Sequence, residues 1–403
     1  MGNYRNYNYD TNGRSIFGLT IILCIWFAAL TNLYLISANK IALYIVIPFA
    51  LCLSIGNYGF ITKNKYQNIL TALIIWICFS YLWAEHKIAA GNELKQLVGT
   101  FAIAYIYTAV SQNIRRIPYL YVTYIILFIG ACIYAKNNIL LEMVSETDRL
   151  TDDTLNANTL AYFLFYATFA IYELRNFANK WIFKKLFGIG FILMIPMTLV
   201  VALLTASRQV LIIQIPLISI LLYLRYIKGA RFFTKATCII LIGISAIIAT
   251  PYVSELYNDS YLKTRNEMDI RDDGRMVLLK DAIDVGNRHF PIGVGPGNYI
   301  FYSPNRLFSH NTYTELYANE GVIGLWLYVW LVLLFIKRQW HRYKTSYDKQ
   351  YLVFLVFGII YIFDGFFYVF YPHLWLMGMF MLVAGHSETY YNTCTLKHKR
   401  HEG

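Results

Sequence analysis

The sequence predicts an all-α polytopic membrane protein with about 12 transmembrane helices and one large loop on the outer face. Of its 403 residues, 58% are apolar and only 14% are charged, whereas a soluble domain has about a quarter of its residues charged. Apolar runs long enough to cross a hydrocarbon core of ~30 Å recur along most of the chain. Its 35 Tyr and 27 Phe residues suit a protein with many membrane–water interfaces to anchor.

The apolar runs define the predicted spans and three regions of the chain. Residues 1–252 contain nine transmembrane helices with short loops, residues 253–319 form the large loop with an amphipathic helix, and residues 320–403 contain three helices and a basic tail. The spans are predicted near 15–37, 40–57, 67–84, 96–112, 117–135, 158–175, 185–204, 207–226, 236–252, 320–336, 351–369 and 372–386.

The distribution of Lys and Arg predicts the orientation of these spans. Basic clusters such as "RNFANKWIFKK" (175–185) and "KRQWHRYK" (337–344) fall in alternate loops, and such clusters stay on the cytoplasmic side. Both termini are therefore predicted to be cytoplasmic, and residues 253–319 to be outside. The net charge of +12 is explained by this inner face, so no nucleic-acid partner is expected.

Cysteine and histidine usage gives no sign of a metal, a cofactor or a disulfide framework. Five of the six cysteines lie inside apolar runs without CxxC spacing, which is typical of small core residues. The outer histidines His86, His289 and His373 are scattered, without the spacing of a ligand set. The first apolar run is long and lacks an obvious cleavage site, so we expect a membrane helix and not a signal peptide.

The large loop contains two local signals. The stretch "GRMVLLKDAIDVG" (274–286) places Met276, Leu279, Ala282 and Ile283 on one helical face, which predicts an amphipathic helix against the membrane domain. A Gly/Pro-rich turn, "FPIGVGPGNY" (290–299), follows. This turn lacks the Lys-Ser/Thr pair of a phosphate-binding P-loop.

Two arginines could bind an anion at the outer face. Arg208 stands at a helix mouth in "TASRQ", where it either extends to lipid headgroups or joins the exposed N–H groups of the helix in an anion clamp. Arg275 opens the amphipathic helix and would be held rigidly there. The other loop cations, among them Arg265, alternate with acids and fit a solvated surface equally well.

His310 is the sharpest catalytic candidate, in the polar cluster "SHNTYTE" just before an apolar run. A histidine titrates near neutrality and can take a proton from a hydroxyl group. The alternative is a helix-capping cluster, with Ser309 or Asn311 as N-cap and Glu315 in the first turns. Asp364 lies deep in an apolar run. Such an acid is expected either to belong to an ion path or to pair with a buried arginine.

Taken together, the motifs resemble the O-antigen ligase and O-antigen polymerase superfamily. The resemblance rests on "TASRQ" at a helix start, "GR" and "FPIGVGPGNY" in the long loop, and "SHNTYTELYANEGVIGL" entering the next helix. The stretch "RLTDDTLNANTLAYFL" (149–164) is similar to a further family segment, although Ala157 stands where the family has proline.

The resemblance implies a membrane glycosyltransferase of GT-C type that needs no metal and inverts the anomeric centre. Its donor would be a glycan linked to undecaprenyl diphosphate at the periplasmic face of the bacterial inner membrane. By position in the motifs, Arg208 and Arg275 match the arginines that hold the diphosphate, and His310 matches the catalytic histidine. Donor or acceptor binding is expected for Arg149, Asn158, Arg265, Asn311 and Glu315.

Two reactions fit this resemblance. A polymerase moves the chain onto a lipid-linked repeat unit, with a chain-length regulator as a possible partner, and the stretch "NTYTELYANEGVIGL" favours this reading. A ligase moves the chain onto lipid A–core. A transporter or flippase of lipid-linked sugars is the alternative of another class, but transporters place polar residues near the bilayer midplane and often show two related halves.

Overall fold

Helices make up every regular element in the part of the chain that the structure describes. The computed structural model describes residues 15–31, 36–59, 64–139, 157–205, 207–227 and 274–401, with the isolated positions 251, 254, 255 and 258. Helices α1 to α14 are Ser15–Thr31, Ile36–Ile41, Ile47–Tyr58, Lys65–Ser80, Lys87–Val110, Ile117–Tyr134, Ala157–Phe177, Trp181–Thr205, Arg208–Leu222, Gly274–Arg288, Tyr299–Tyr302, Thr312–Ser346, Lys349–Asp364 and Leu374–His401. Short π-helical turns continue α2, α6 and α9.

Five helical stretches within those ranges are long and apolar enough to cross a bilayer: Asn39–Tyr58, Ile117–Asn137, Trp181–Thr205, Gln209–Tyr226 and Thr312–Ser346. The prediction of an all-helical, multi-pass membrane protein is thereby confirmed. Each predicted span coincides with a helix except 236–252, which lies almost entirely outside the described residues. The number of twelve spans stays a prediction.

The chain divides into two compact units. The described residues of one unit lie between Tyr124 and Ile270, and those of the other lie between Asn8 and Thr123 and between Arg271 and Gly403. We call them the middle unit and the terminal unit. In the terminal unit α12 packs against α4, α10 and α13, and α5 packs against α14.

In the middle unit, α7, α8 and α9 pack against one another, and α7 and α9 run parallel. Three pairs join them, with partner numbers that rise together along both segments: Tyr162 with Gln209, Thr168 with Gln214, and Tyr172 with Arg225 just beyond α9. The amino-terminal ends of α7 and α9 therefore lie at the same end of this unit.

Helix α10 confirms the helix predicted at 274–286, and its buried face agrees with the predicted one only in part, at Ala282. Its buried residues are Leu278, Ala282, Val285 and Gly286, whereas Met276 is 43% exposed and Ile283 is 37% exposed. Apolar residues lie on both sides of this helix, so its pattern alone did not identify the packed face. The small Ala282 and Gly286 allow close packing on α12, where Gly286 touches the Tyr317 ring.

Helix α12 is broken at Gly321, whose φ of 66° is non-helical. The Gly/Pro-rich turn at 290–299 supplies hydrogen bonds on both sides of this break: Val294 to Ala318, Gly295 to Asn319 and Val322 to Pro291. Backbone groups that the broken helix would leave without partners are thus satisfied. The first turns of α12 are locked to the loop that carries α10 and α11.

Candidate functional site

His310 occupies a strained turn directly before α12. Its φ of 53° is left-handed, a conformation that costs a residue with a β-carbon about 1–2 kcal/mol. The side chain is half-buried, while Ser309 and Asn311 on either side are buried. Such strain persists only where the surroundings fix it, and it occurs often at functional sites.

Asn311 fixes the turn from the helix side. Its Oδ1 accepts hydrogen bonds from the backbone N–H groups of Tyr313 (2.9 Å) and Thr314 (3.2 Å), which makes Asn311 the N-cap of α12. The Ser309 hydroxyl donates to the Asn311 carbonyl at 3.0 Å. The capping alternative is therefore confirmed for Asn311, and contact of Asn311 with a substrate stays a prediction.

Glu315 holds the other side of the histidine turn. It is only 2% exposed, and its Oε2 accepts the Ser309 N–H at 2.8 Å. The carboxylate thus reaches back across the N-cap and binds the residue before His310. In this arrangement Glu315 positions the turn, and its predicted role in substrate binding stays untested.

Thr312 ties the histidine turn to the connection between α13 and α14. Its N–H donates to the Gly365 carbonyl at 2.8 Å, and its hydroxyl donates to the Tyr368 carbonyl at 2.6 Å and accepts the Phe370 N–H at 2.9 Å. Sequence reasoning missed this support, because it treated residues 351–386 only as two spans. The threonine that follows His310 and Asn311 was the one local signal.

A group of three acids, two of them buried and one half-buried, lies next to the turn. Glu315 interacts electrostatically with Glu93 of α5, and Glu93 also interacts with Glu320. Tyr371 hydrogen-bonds Glu93, and Asn319 donates to the Tyr371 hydroxyl at 3.4 Å. The sequence reasoning missed Glu93, because an isolated acidic residue near the start of α5 carries no motif.

Asp364, the predicted deep acid, is fully buried as the last residue of α13. It interacts with the phenols of Tyr313 and Tyr328. Tyr313 belongs to the first turn of α12 and also donates to the Ile362 carbonyl at 2.9 Å. Asp364 therefore lies beneath the histidine turn, in the same unit.

Arg275 is the second residue of α10 and is half-buried. A shared apolar cluster packs α10 onto the first half of α12: Ala282, Val285, Val294, Tyr299 and Ala318. The Tyr317 hydroxyl also donates to Asn287 at 2.8 Å. Arg275 and His310 are thus carried by elements that pack against each other in the terminal unit.

Asn158 and Arg208 belong to the middle unit. Asn158 lies in the first turn of α7, and Arg208 is the first residue of α9. Because the two helices are parallel, both residues lie at the same end, where the positive ends of the helix dipoles favour an anion. The side chains of Asn158 and Arg208, and Arg149 and Arg265 altogether, lie outside the described residues.

No group of three His, Cys, Asp or Glu side chains that could hold a metal ion occurs among the described residues. Arg275 lies in the terminal unit, and Arg208 begins a helix in the middle unit.

These features define a multi-pass helical membrane protein with a rigid histidine turn at the start of a long helix. A family model described as O-antigen ligase matches residues 189–329, a segment that includes Arg208, Arg275 and His310. The resemblance to the O-antigen ligase and polymerase superfamily is confirmed by this match. It indicates a membrane glycosyltransferase of ligase or polymerase type that uses lipid-linked glycans. No curated protein matches the chain.

Proposed function

We propose that the protein is a polysaccharide polymerase of the bacterial inner membrane. It transfers a glycan chain from undecaprenyl diphosphate to a hydroxyl of a lipid-linked repeat unit at the periplasmic face. The observation that carries this proposal is the His310 turn, a strained histidine fixed by buried polar groups within the segment that matches the family. An N-cap for α12 alone would not require a left-handed backbone conformation at His310.

The chemistry divides between a base and a leaving-group site. His310 takes the proton of the acceptor hydroxyl as its oxygen attacks the anomeric carbon. The bond from that carbon to the diphosphate breaks on the opposite face, so the anomeric configuration inverts. Arg208 and Arg275 stabilise the charge that develops on the departing diphosphate, without a metal or other cofactor.

The remaining predicted residues bind and position substrates in this proposal. Asn158 at the start of α7 and Arg149 before it assist Arg208 at the diphosphate, and Arg265 contributes further positive charge from the loop. Asn311 and Glu315 hold His310 and border the acceptor. Residues 253–319 form the periplasmic loop between the helices of 1–252 and 320–403, both termini are cytoplasmic, and a chain-length regulator is a candidate partner.

A ligase is the second candidate, because the matching family model is described as O-antigen ligase. In that case the acceptor hydroxyl belongs to lipid A–core. The base and the leaving-group site would be the same, so the two reactions differ only in acceptor recognition. An acceptor test separates them.

The test uses purified protein in detergent with undecaprenyl-diphosphate-linked repeat units as the only glycan. We expect a ladder of longer lipid-linked chains, reduced at least about a hundredfold by His310→Ala and similarly by Arg208→Ala and Arg275→Ala. His341→Ala, an exposed histidine on the distal part of α12, and Arg288→Ala, an exposed arginine at the end of α10, are the matched controls.

Other products would change the assignment. Transfer only after lipid A–core is added would identify a ligase. An active, lipid-competent preparation that forms neither product would contradict the transferase proposal and favour a transporter of lipid-linked sugars. Full activity in His310→Ala would remove the histidine from the mechanism.

A further inference from the structure

Four aromatic rings form a continuous set beside the loop. Phe301 stacks on His86, with ring centroids 3.9 Å apart and planes at 23°. Tyr302 meets His86 edge-on at 6.5 Å and His289 edge-on at 4.9 Å. We call these residues the ring set. Its members come from the connection between α4 and α5 and from the segment around α11, both of which were predicted to face outward.

Hydrogen bonds to the main chain hold the ring set in place, and they do not involve the four rings themselves. Asn298 is fully buried, and its side-chain amide accepts the His86 N–H at 2.8 Å and donates to the His86 carbonyl at 3.4 Å. These bonds use only the main chain of His86. Removal of the imidazole would therefore leave both hydrogen bonds between Asn298 and position 86 intact.

The rings remain accessible although they are held in place. His86 is exposed and Phe301 is 42% exposed, so much of this aromatic surface is not used by the core. Both residues lie outside the five stretches that could cross a membrane. An exposed aromatic surface fixed outside the apolar helices is suited to a ligand that is apolar on one face and soluble in water.

Polar groups border the aromatic surface. The Tyr302 phenol hydrogen-bonds Glu85, and burial together with this carboxylate raises the pKa of Tyr302 to about 12. The phenol therefore stays protonated and donates to Glu85. His289 Nδ1 lies 3.0 Å from the Val285 carbonyl and must donate to it, so Nε2 is the ring nitrogen left for a ligand.

We propose that the ring set is a carbohydrate subsite that binds a pyranose ring of the acceptor, the lipid-linked repeat unit. A pyranose offers a face of C–H groups to an aromatic ring and a rim of hydroxyls to a carboxylate and an imidazole, which is the combination found here. Tyr302 precedes His310 by eight residues in the same unit. The assignment rests on the proposed glycan transfer and adds a place where the sugar is recognised.

If the ring set binds the acceptor, removal of one ring should weaken acceptor binding and leave the rate of the transfer step unchanged. In His86→Ala and Phe301→Ala we expect the KM for the acceptor to rise about threefold to tenfold, the effect of losing one aromatic contact, with kcat within twofold. Phe301→Tyr keeps the ring and should retain the wild-type KM. Trp340→Ala removes an exposed aromatic residue elsewhere in the terminal unit and serves as control.

A binding measurement separates this subsite from the transfer reaction. The probe is the lipid-free oligosaccharide of the repeat unit, followed by saturation-transfer NMR with protein in detergent. Ring-dependent binding by a chain that transfers nothing would support the subsite and contradict the proposed function. Active transfer with KM and binding unchanged in both alanine variants would overturn the subsite alone, and wild-type protein that neither binds nor transfers would overturn both.

Discussion

The conformation of His310 depends on residues that do not themselves need to touch a substrate. Ser309, Asn311 and Glu315 form hydrogen bonds around the turn, and all three are almost fully buried. Buried polar groups of this kind must be satisfied, or each costs about 1–3 kcal/mol. The same bonds that complete α12 therefore offset the strain at His310 and fix the backbone of the turn that carries its side chain.

Asn311→Ala tests this coupling at the level of one residue. Loss of the N-cap should lower the free energy of unfolding by about 1 kcal/mol, seen as a lower Tm in detergent. Because the turn also loses its support, kcat should fall about tenfold to a hundredfold. Asn311→Asp keeps the capping oxygen and should restore the Tm. An unchanged kcat in Asn311→Ala would show that His310 does not depend on the cap.

Among the elements, α12 shows best what local sequence patterns could and could not predict. Its apolar run predicted a span, and the polar cluster before it predicted a cap. The break at Gly321 depends on hydrogen bonds with a turn about thirty residues earlier in the chain, which periodicity does not reveal. The packed face of α10 was predicted only in part for the same reason, since its partner residues come from the Gly/Pro-rich turn, α11 and α12.

Gly321→Ala should disrupt the junction between α12 and the Gly/Pro-rich turn. A β-carbon at position 321 would overlap with the Pro291 carbonyl oxygen and the Ile292 backbone, and the left-handed φ adds its own cost. We expect a loss of at least ~2 kcal/mol in stability, measured by thermal unfolding in detergent.

Gly91→Ala is the matched control for that substitution. Gly91 lies inside α5 with nothing within 4 Å of an added β-carbon, so alanine should stabilise the protein by about 0.5–1 kcal/mol. Equal Tm values for the two variants would mean that the α12 break is not held by the turn.

At the scale of the whole molecule, composition predicted the helical membrane fold, whereas it predicted little of the structure around His310. Apolar runs located the helices because burial in a membrane requires long continuous stretches. The supports of the site were largely hidden, since Glu93, Thr312 and Asn298 act through partners that are distant in sequence. His310 and Arg275 could be predicted as site residues because they stand in motifs, whereas their surroundings depend on the folded chain.

The orientation of α12 is the remaining whole-molecule prediction. From Val322 to Ser346 the helix has 25 residues, or about 37 Å at 1.5 Å per residue, which exceeds the ~30 Å hydrocarbon core. Its two ends are therefore expected on opposite sides of the membrane. Basic residues cluster beyond Ile336, so that end is expected in the cytoplasm and the His310 end in the periplasm.

Labelling with a membrane-impermeant maleimide tests this orientation in a chain whose six native cysteines are replaced. Leu307→Cys, at an exposed position before the histidine turn, should react in intact spheroplasts, because its thiol would face the medium. Thr345→Cys, exposed at the far end of α12, should react only after the membrane is permeabilised. The reverse pattern would place His310 in the cytoplasm. A nucleoside-diphosphate sugar, which also carries a diphosphate leaving group, would then be as accessible as a lipid-linked one, and the assignment of undecaprenyl diphosphate as the donor that Arg208 and Arg275 bind would lose its basis.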